Sequence, residues 1–183
     1  MPRYVALFRG INVGKAKRIA MADLRALLAK LGFTEVQTLL NSGNAVFSGA
    51  TEAPGKLAAR LRAAVAAKLG VDALVIVKAS KEIDAIVADN ALESLSTDPS
   101  RLLVAMTNDA AALAGVKAAL KMEWGAERIH VGRHAAYVWC ANGILESKAL
   151  GVLLKSLEMK GTTRNWATLT KIQALLNSDG GKK

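Results

Sequence analysis

An apolar strand that breaks into a glycine-hinged polar turn opens the chain and most constrains its fold. Tyr4–Phe8 is apolar without alternation, which is typical of a central strand covered on both faces. Arg9–Gly14 then reads Arg-Gly-Ile-Asn-Val-Gly, where Gly10 and Gly14 permit sharp bends. The segment predicts a buried strand with an ordered turn at its exit, a common place for a ligand site.

The first half of the chain alternates helical and strand patterns. Four leucines between residues 24 and 31 share one helical face, and Gly32 is placed to end that helix. Two strands follow, about Val36–Leu40 and Ala45–Ser48, around the turn Asn41–Asn44; a helix then runs from Pro54 to Gly70, and a strand covers Ala73–Lys78. The resulting order, β-α-β-β-α-β, is that of a ferredoxin-like unit.

The second half repeats most of this order after a polar linker at about Asn90–Ser100. A strand at Arg101–Met106, a helix through Leu113, Val116 and Leu120, a hairpin and another helix give β-α-β-β-α, and a final helix runs from about Asn165 to Asn177. We therefore predict an α+β fold of two ferredoxin-like βαββαβ-type halves packed together, residues 1–90 and 91–183, with an extra C-terminal helix. One compact unit is the alternative. Gly180–Lys183 is expected to fray.

The charge of the chain favours anionic partners. The formal net charge is +10, and the excess is spread over both halves. The most lopsided stretch, Arg3–Lys30, holds seven basic residues and one acid, Asp23. Such a stretch predicts a positive surface that attracts nucleic acid, nucleotides or phosphorylated metabolites. The plainer interpretation is a solvated surface whose charge serves only solubility.

Cysteine and apolar content point to a cytoplasmic protein without a membrane span. Cys140 is the only cysteine, which excludes an intramolecular disulfide. No apolar run approaches the ~20 residues that a membrane span needs. His130, His134 and Cys140 lie on one hairpin, but a zinc site there would need convergent side chains, so no metal site and no cofactor are predicted. Cys140 is expected to be a buried, inert thiol.

Three segments rich in Asn, Gly and Arg carry the candidate site. Arg9–Gly14 lacks the Gly-Lys-Ser/Thr ending of a P-loop and the third glycine of a dinucleotide fingerprint. Asn41–Asn44 has the chemistry of a hairpin turn. In Lys160–Trp166, Thr162 or Thr163 is a natural N-cap, which predicts a helix N-terminus suited to an anion, with Arg164 exposed and Trp166 in the core.

These segments together resemble the DUF1697 family, bacterial proteins of unknown function. Members share Tyr-Val-Ala-Leu-Leu-Arg-Gly-Ile-Asn-Val-Gly, Met-x-x-Leu-Arg-x-Leu, Gly-Phe-x-x-Val, Gln-Ser-Gly-Asn-x-Val-Phe and Thr-x-Arg-Asn-Trp. The corresponding segments here are Tyr4–Gly14, Met21–Leu27, Gly32–Val36, Asn41–Phe47 and Thr162–Trp166. Asn41 stands where Gln is usual, and Lys15 where a second Gly is common. The resemblance implies two ferredoxin-like halves and no particular activity.

We expect one pocket between the two halves that binds a phosphate-bearing small molecule or nucleotide. Its predicted lining is Arg9, Gly10, Asn12, Ser42, Asn44, Thr163, Arg164 and Asn165. Arg9 and Arg164 would hold the anion, and Asn12, Asn44 and Asn165 would orient it. The alternatives are non-sequence-specific nucleic-acid binding, an enzyme of unknown reaction with no catalytic residue assigned, and a purely structural or partner-binding protein. The oligomeric state is left open.

Overall fold

The structure is a computed structural model that describes residues 1–178; the expected fraying of Gly180–Lys183 falls outside the described residues. Its strands are β1 (Arg3–Phe8), β2 (Thr34–Leu39), β3 (Asn44–Ser48), β4 (Val75–Ala79), β5 (Leu102–Thr107), β6 (Arg128–Val131), β7 (Ala136–Trp139) and β8 (Gly161–Asn165). Its α-helices are α1 (Met21–Lys30), α2 (Pro54–Leu69), α3 (Ser80–Ala88), α4 (Lys148–Ser156) and α5 (Trp166–Asn177). Three 3₁₀ segments cover Glu93–Leu95, Pro99–Arg101 and Ala110–Lys121. The fold is therefore mixed α+β, with two four-stranded antiparallel sheets.

The first sheet has the strand order β2-β3-β1-β4, so β1 is an inner strand. Val5 pairs with Val46 on one side and with Lys78 on the other. Tyr4–Phe8 is buried throughout, as the unbroken apolar run predicts. The predicted order β-α-β-β-α-β of this half is confirmed.

Helices α1 and α2 pack on one face of the first sheet with their apolar sides. Leu24, Leu27 and Leu28 of α1 are buried in the same core as Leu57, Leu61 and Val65 of α2. Pro54 is the first residue of α2, where its missing N–H costs nothing. Gly32 and Gly70 have φ of 90° and 69°, which confirms both as left-handed helix terminators.

The second sheet has the equivalent order β6-β7-β5-β8. Its last strand, β8, corrects the prediction, which placed a helix start there. Gly161–Asn165 pairs with β5 instead, with Thr163 opposite Ala105 and Arg164 opposite Val104. Two adjacent β-branched threonines suit a strand, so pairing with β5 overrides the capping pattern.

The segment Ala110–Lys121 is a 3₁₀ helix rather than the expected α-helix. Asp109 caps it, since its Oδ1 accepts a hydrogen bond from Ala111 N at 2.9 Å. The buried residues are Leu113, Val116 and Ala119, whose spacing of three matches three residues per turn, whereas Leu120 is exposed.

Contacts between Cα atoms divide the chain into two compact units. The first contains Met1–Lys81 together with the described residues from Ile172 onward, and the second contains Glu82–Lys171. The expected boundary at residue 90 assigned the whole terminal helix to the second half. In the structure α3 and α5 each contribute residues to both units, and the second unit is one continuous stretch whereas the first is made of two. Within residues 1–178, no helix is both long and apolar enough to span a bilayer.

Candidate functional site

The loop that leaves β1, residues 9–18, is the most unusual backbone segment of the first unit; we call it the basic loop. Its φ angles are positive at Gly10 (65°), Asn12 (56°), Gly14 (63°) and Lys17 (51°). Asn12 N donates to Lys17 O at 3.0 Å, which closes the loop on itself. Asn tolerates the left-handed region better than most residues, so the chain turns here at low cost.

The side chain of Asn12 holds this loop in place. Its Oδ1 accepts from Ile19 N at 2.9 Å, and its Nδ2 donates to Ile19 O at 2.8 Å. The same Nδ2 donates to Asn41 O at 2.8 Å, which ties the basic loop to the turn between β2 and β3. Ile11 and Ile19 are buried in the core of the first unit, and their packing anchors the loop there.

The turn Asn41–Asn44 packs against the base of the same loop. Phe8 N donates to Gly43 O at 2.9 Å. Gly43 has a φ of 87°, and a Cβ on it would lie 2.5 Å from Ile11 Cδ1. Asn44 is fully buried, and its Nδ2 donates to Leu39 O at 2.7 Å and to Ser42 Oγ at 3.2 Å. Only glycine therefore fits at position 43 without displacing the loop.

The structure thus brings together five of the predicted site residues: Arg9, Gly10, Asn12, Ser42 and Asn44. The side-chain amides of Asn12 and Asn44 are used in hydrogen bonds that hold the basic loop and the turn Asn41–Asn44 in place. Sequence reasoning missed the main-chain carbonyls that accept these bonds, among them those of Ile19, Leu39 and Asn41. The sequence did contain one indication of this role for Asn12, because Gly10 and Gly14 lie two residues to either side of it. A turn between two glycines is flexible unless a side chain holds it in one conformation.

The third predicted segment belongs to the second unit and differs from the expectation. Thr162 and Thr163 lie on β8, and the N-cap is Asn165, whose Oδ1 accepts from Thr168 N at 2.8 Å. Trp166 is buried, as predicted. Arg164 is buried rather than exposed; its Nη1 donates to Thr162 Oγ1 at 3.0 Å and to Thr163 O at 2.8 Å. Burial disfavours the charged guanidinium and lowers the pKa of Arg164 to about 10.

The cations of the basic loop face solvent. Lys15, Lys17 and Arg18 are exposed, and Arg9 is partly buried. Lys17 lies close enough to Asp72 for its charge to help lower the pKa of that carboxyl, although the hydrogen bond from Arg62 is the main cause. The loop itself contains no acidic residue. It therefore presents a concentrated positive charge on a fixed backbone.

His130, His134 and Cys140 of the second unit are not arranged as a group that could hold a metal ion. Cys140 is fully buried, as expected, and burial raises the pKa of its thiol. The ring of His130 stacks on Tyr137 at 5.5 Å between centroids. Across residues 1–178, no group of three or more His, Cys, Asp or Glu side chains is arranged to hold a metal ion.

Three cavities lie away from the predicted site. One of about 540 Å³ lies between α1 and α2, one of about 720 Å³ lies beside α4, and one of about 200 Å³ lies at the end of α4. None of these three is lined by a residue of the basic loop or of Asn41–Asn44.

Comparisons with known proteins place the chain in a family. No curated protein matches it. Among solved structures, the conserved bacterial protein SP0830 from Streptococcus pneumoniae is similar over 96% of this chain and 99% of that one, with a TM-score of 0.78 and 24% sequence identity. This likeness shows a shared fold. The family model described as a protein of unknown function (DUF1697) matches residues 1–137. The chain therefore belongs to the DUF1697 family.

Proposed function

We propose that the protein binds a phosphate-bearing small molecule or nucleotide at the basic loop, residues 9–18. The observation that carries the proposal is the three-way hydrogen bonding of the Asn12 side chain, which fixes a loop whose charged side chains are all cationic. A loop held in one conformation before binding loses less conformational entropy when it binds. Lys15, Lys17 and Arg18 are exposed on this loop, so their charges are accessible to an anionic ligand.

The backbone of the loop supports an anionic ligand. Within residues 10–14, φ is positive at Gly10, Asn12 and Gly14, and it is not positive at the two residues between them. Turns that contain left-handed residues form anion-binding nests in proteins. In this loop the N–H of Asn12 is already bonded to Lys17 O, so an anion would use the other main-chain N–H groups. Arg9 adds a planar guanidinium suited to phosphate oxygens.

The proposal requires only the first unit. Ser42 and Asn44 lie next to the loop, because Gly43 between them packs against Ile11. Thr163, Arg164 and Asn165 belong to the second unit, and the proposed site does not include them.

Isothermal titration with ATP and with inorganic phosphate tests this proposal. We expect the Lys15→Glu/Arg18→Glu variant to bind ATP at least about tenfold more weakly, since each reversed charge near a surface costs on the order of 1 kcal/mol. The matched control, Lys117→Glu/Lys121→Glu, reverses two exposed charges on the second unit and should bind as the wild type does. No binding of either probe, or equal loss in both variants, would contradict the proposal.

Non-sequence-specific nucleic-acid binding at the same loop is a second candidate. Val13 is 70% exposed in the loop, and Leu40 is 53% exposed beside the bonded residue Asn41. Exposed apolar groups among cations suit an extended polyanion whose bases can contact them. Binding of a single-stranded oligonucleotide with a steep salt dependence, together with no binding of ATP, would favour this candidate.

We also propose that the two halves are ferredoxin-like and that the protein is cytoplasmic. The strand orders β2-β3-β1-β4 and β6-β7-β5-β8, each with all neighbours antiparallel, support two ferredoxin-like halves. The single buried cysteine supports a cytoplasmic location.

A further inference from the structure

The groove beside α4 in the second unit has a volume of about 720 Å³, within the range of small-molecule sites. One wall is a single face of α4, since Lys148, Gly151, Val152 and Lys155 are spaced i, i+3, i+4 and i+7. The opposite wall is the segment Met122–Gly125, which contains Trp124. The groove thus combines an aromatic side chain with two lysines.

Gly151 leaves the floor of this groove open. It lies in the middle of α4, where glycine costs up to about 1 kcal/mol relative to alanine. Its φ is not in the left-handed region, and a Cβ added to it would meet no atom within 4 Å. Gly115 in the same unit shows the contrast, because a Cβ there would lie 2.8 Å from Ser156 O. Neither packing nor backbone conformation therefore explains glycine at position 151.

The aromatic wall is fixed in orientation. Trp124 Nε1 donates to Ala119 O at 2.9 Å, so the polar edge of the indole is satisfied within the protein. Glu127 N donates to Trp124 O at 3.0 Å and holds the turn that carries the ring. Trp124 is partly buried against the core of the second unit, and the part of the fixed indole that lines the groove is available to a ligand at little entropic cost.

The charges of the groove favour an anion. Glu127 accepts hydrogen bonds from Ser147 Oγ, from Lys148 N at 3.2 Å and from Ala149 N at 3.4 Å, so its carboxylate is offset by the start of α4. Lys148 and Lys155 are exposed, and their ammonium groups form no ion pair among the described residues. The lining thus holds two lysines and two carboxylates, and of the carboxylates Glu127 is bonded within the protein by the start of α4.

From this combination we propose that the groove is a binding site for a flat aromatic anion, an aryl phosphate or aryl carboxylate. The aromatic body lies between Trp124 and Gly151, and the anionic group contacts Lys148 or Lys155. This site is distinct in residues and in unit from the basic loop.

Ligand-detected NMR titration of the full chain with 1-naphthyl phosphate tests the proposal, with 1-naphthol as the neutral analogue. Because the basic loop is itself proposed to bind phosphate, the titrations are made on the Lys15→Glu/Arg18→Glu variant. We expect the phosphate to bind at least about tenfold more tightly than the naphthol, since one charge contact is gained. Gly151→Leu fills the floor and should weaken the binding of naphthyl phosphate at least about tenfold, whereas Gly55→Leu, at another helical glycine with an open Cβ position, should leave it unchanged.

A second variant keeps the test independent of how Gly151→Leu folds. In the Lys15→Glu/Arg18→Glu background, Lys148→Gln/Lys155→Gln should remove the preference for the phosphate over the naphthol. Absence of binding in this background, or binding that is insensitive to both groove variants, would overturn the proposal.

Discussion

The side-chain amide of Asn12 donates a hydrogen bond of 2.8 Å to the main-chain carbonyl of Asn41, twenty-nine residues away. This bond joins two turns that leave different strands of the first sheet. With the two bonds to Ile19, it uses both polar atoms of the Asn12 side chain. The side chain of Asn12 is therefore a main support of the conformation of the basic loop.

Replacing Asn12 separates its backbone role from its side-chain role. Asn12→Gly keeps the positive φ of 56° but loses all three side-chain hydrogen bonds, and we expect it to lower the free energy of unfolding by about 1–3 kcal/mol. Asn12→Ala loses the same bonds and adds backbone strain of on the order of 1 kcal/mol, so it should be less stable still. Urea unfolding measures both values. A glycine variant as stable as the wild type would show that the amide does not support the loop.

Gly43 and Gly55 form a matched pair for substitution by alanine. Gly43→Ala places a Cβ 2.5 Å from Ile11 Cδ1 at a φ of 87°, so we expect a loss of about 2–3 kcal/mol. Gly55 lies in the first turn of α2 with an open Cβ position, and Gly55→Ala should be neutral or stabilising by up to about 1 kcal/mol. Thermal unfolding compares the two variants. Equal effects would contradict the close contact between the turn and the basic loop.

Local signals explain which parts of the fold could be predicted from the sequence. The leucine spacing of α1, Pro54 at the start of α2 and glycines 32 and 70 each act within one or two turns of chain, and the element order of the first half followed from them. Strand β8 was missed because Thr162–Asn165 is polar and reads as a capped helix start. Its conformation is set by pairing with β5, a partner more than fifty residues earlier.

The candidate site was predictable only in part for the same reason. Arg9, Asn12 and Ser42 stand out in the sequence, but the bond from Asn12 to Asn41 O joins separate turns and leaves no local pattern. The burial of Arg164 likewise depends on its place on a strand rather than at a helix end. The groove beside α4 was missed because Trp124 and Gly151 are isolated in the sequence and meet only in the folded unit.

Glu127 and Glu123 provide a matched pair for the start of α4. Glu127 is buried and accepts from Ser147 Oγ and from two main-chain N–H groups of the helix, so Glu127→Ala leaves these donors without that acceptor. We expect a loss of about 1–3 kcal/mol in the free energy of unfolding. Glu123→Ala, at an exposed carboxylate, should change it by less than about 0.5 kcal/mol. Guanidinium unfolding of both variants decides this, and a tolerated Glu127→Ala would argue against a structural role for the carboxylate.

Tyr137 predicts how stability depends on alkaline pH. Its hydroxyl donates to Ile86 O at 2.6 Å, and burial raises the pKa of this phenol above the ordinary value of 10.0. Above pH 10 the unfolded chain loses the phenolic proton while the folded protein keeps it, so this group's contribution is complete below that pH and declines as pH rises. Tyr137→Phe should cost about 1 kcal/mol near pH 7 through the lost hydrogen bond. The deficit should shrink as pH rises above about 10, because only the wild type then carries the ionisation penalty. Urea unfolding of both proteins across this range tests the prediction, and a deficit that stays constant with pH would refute it.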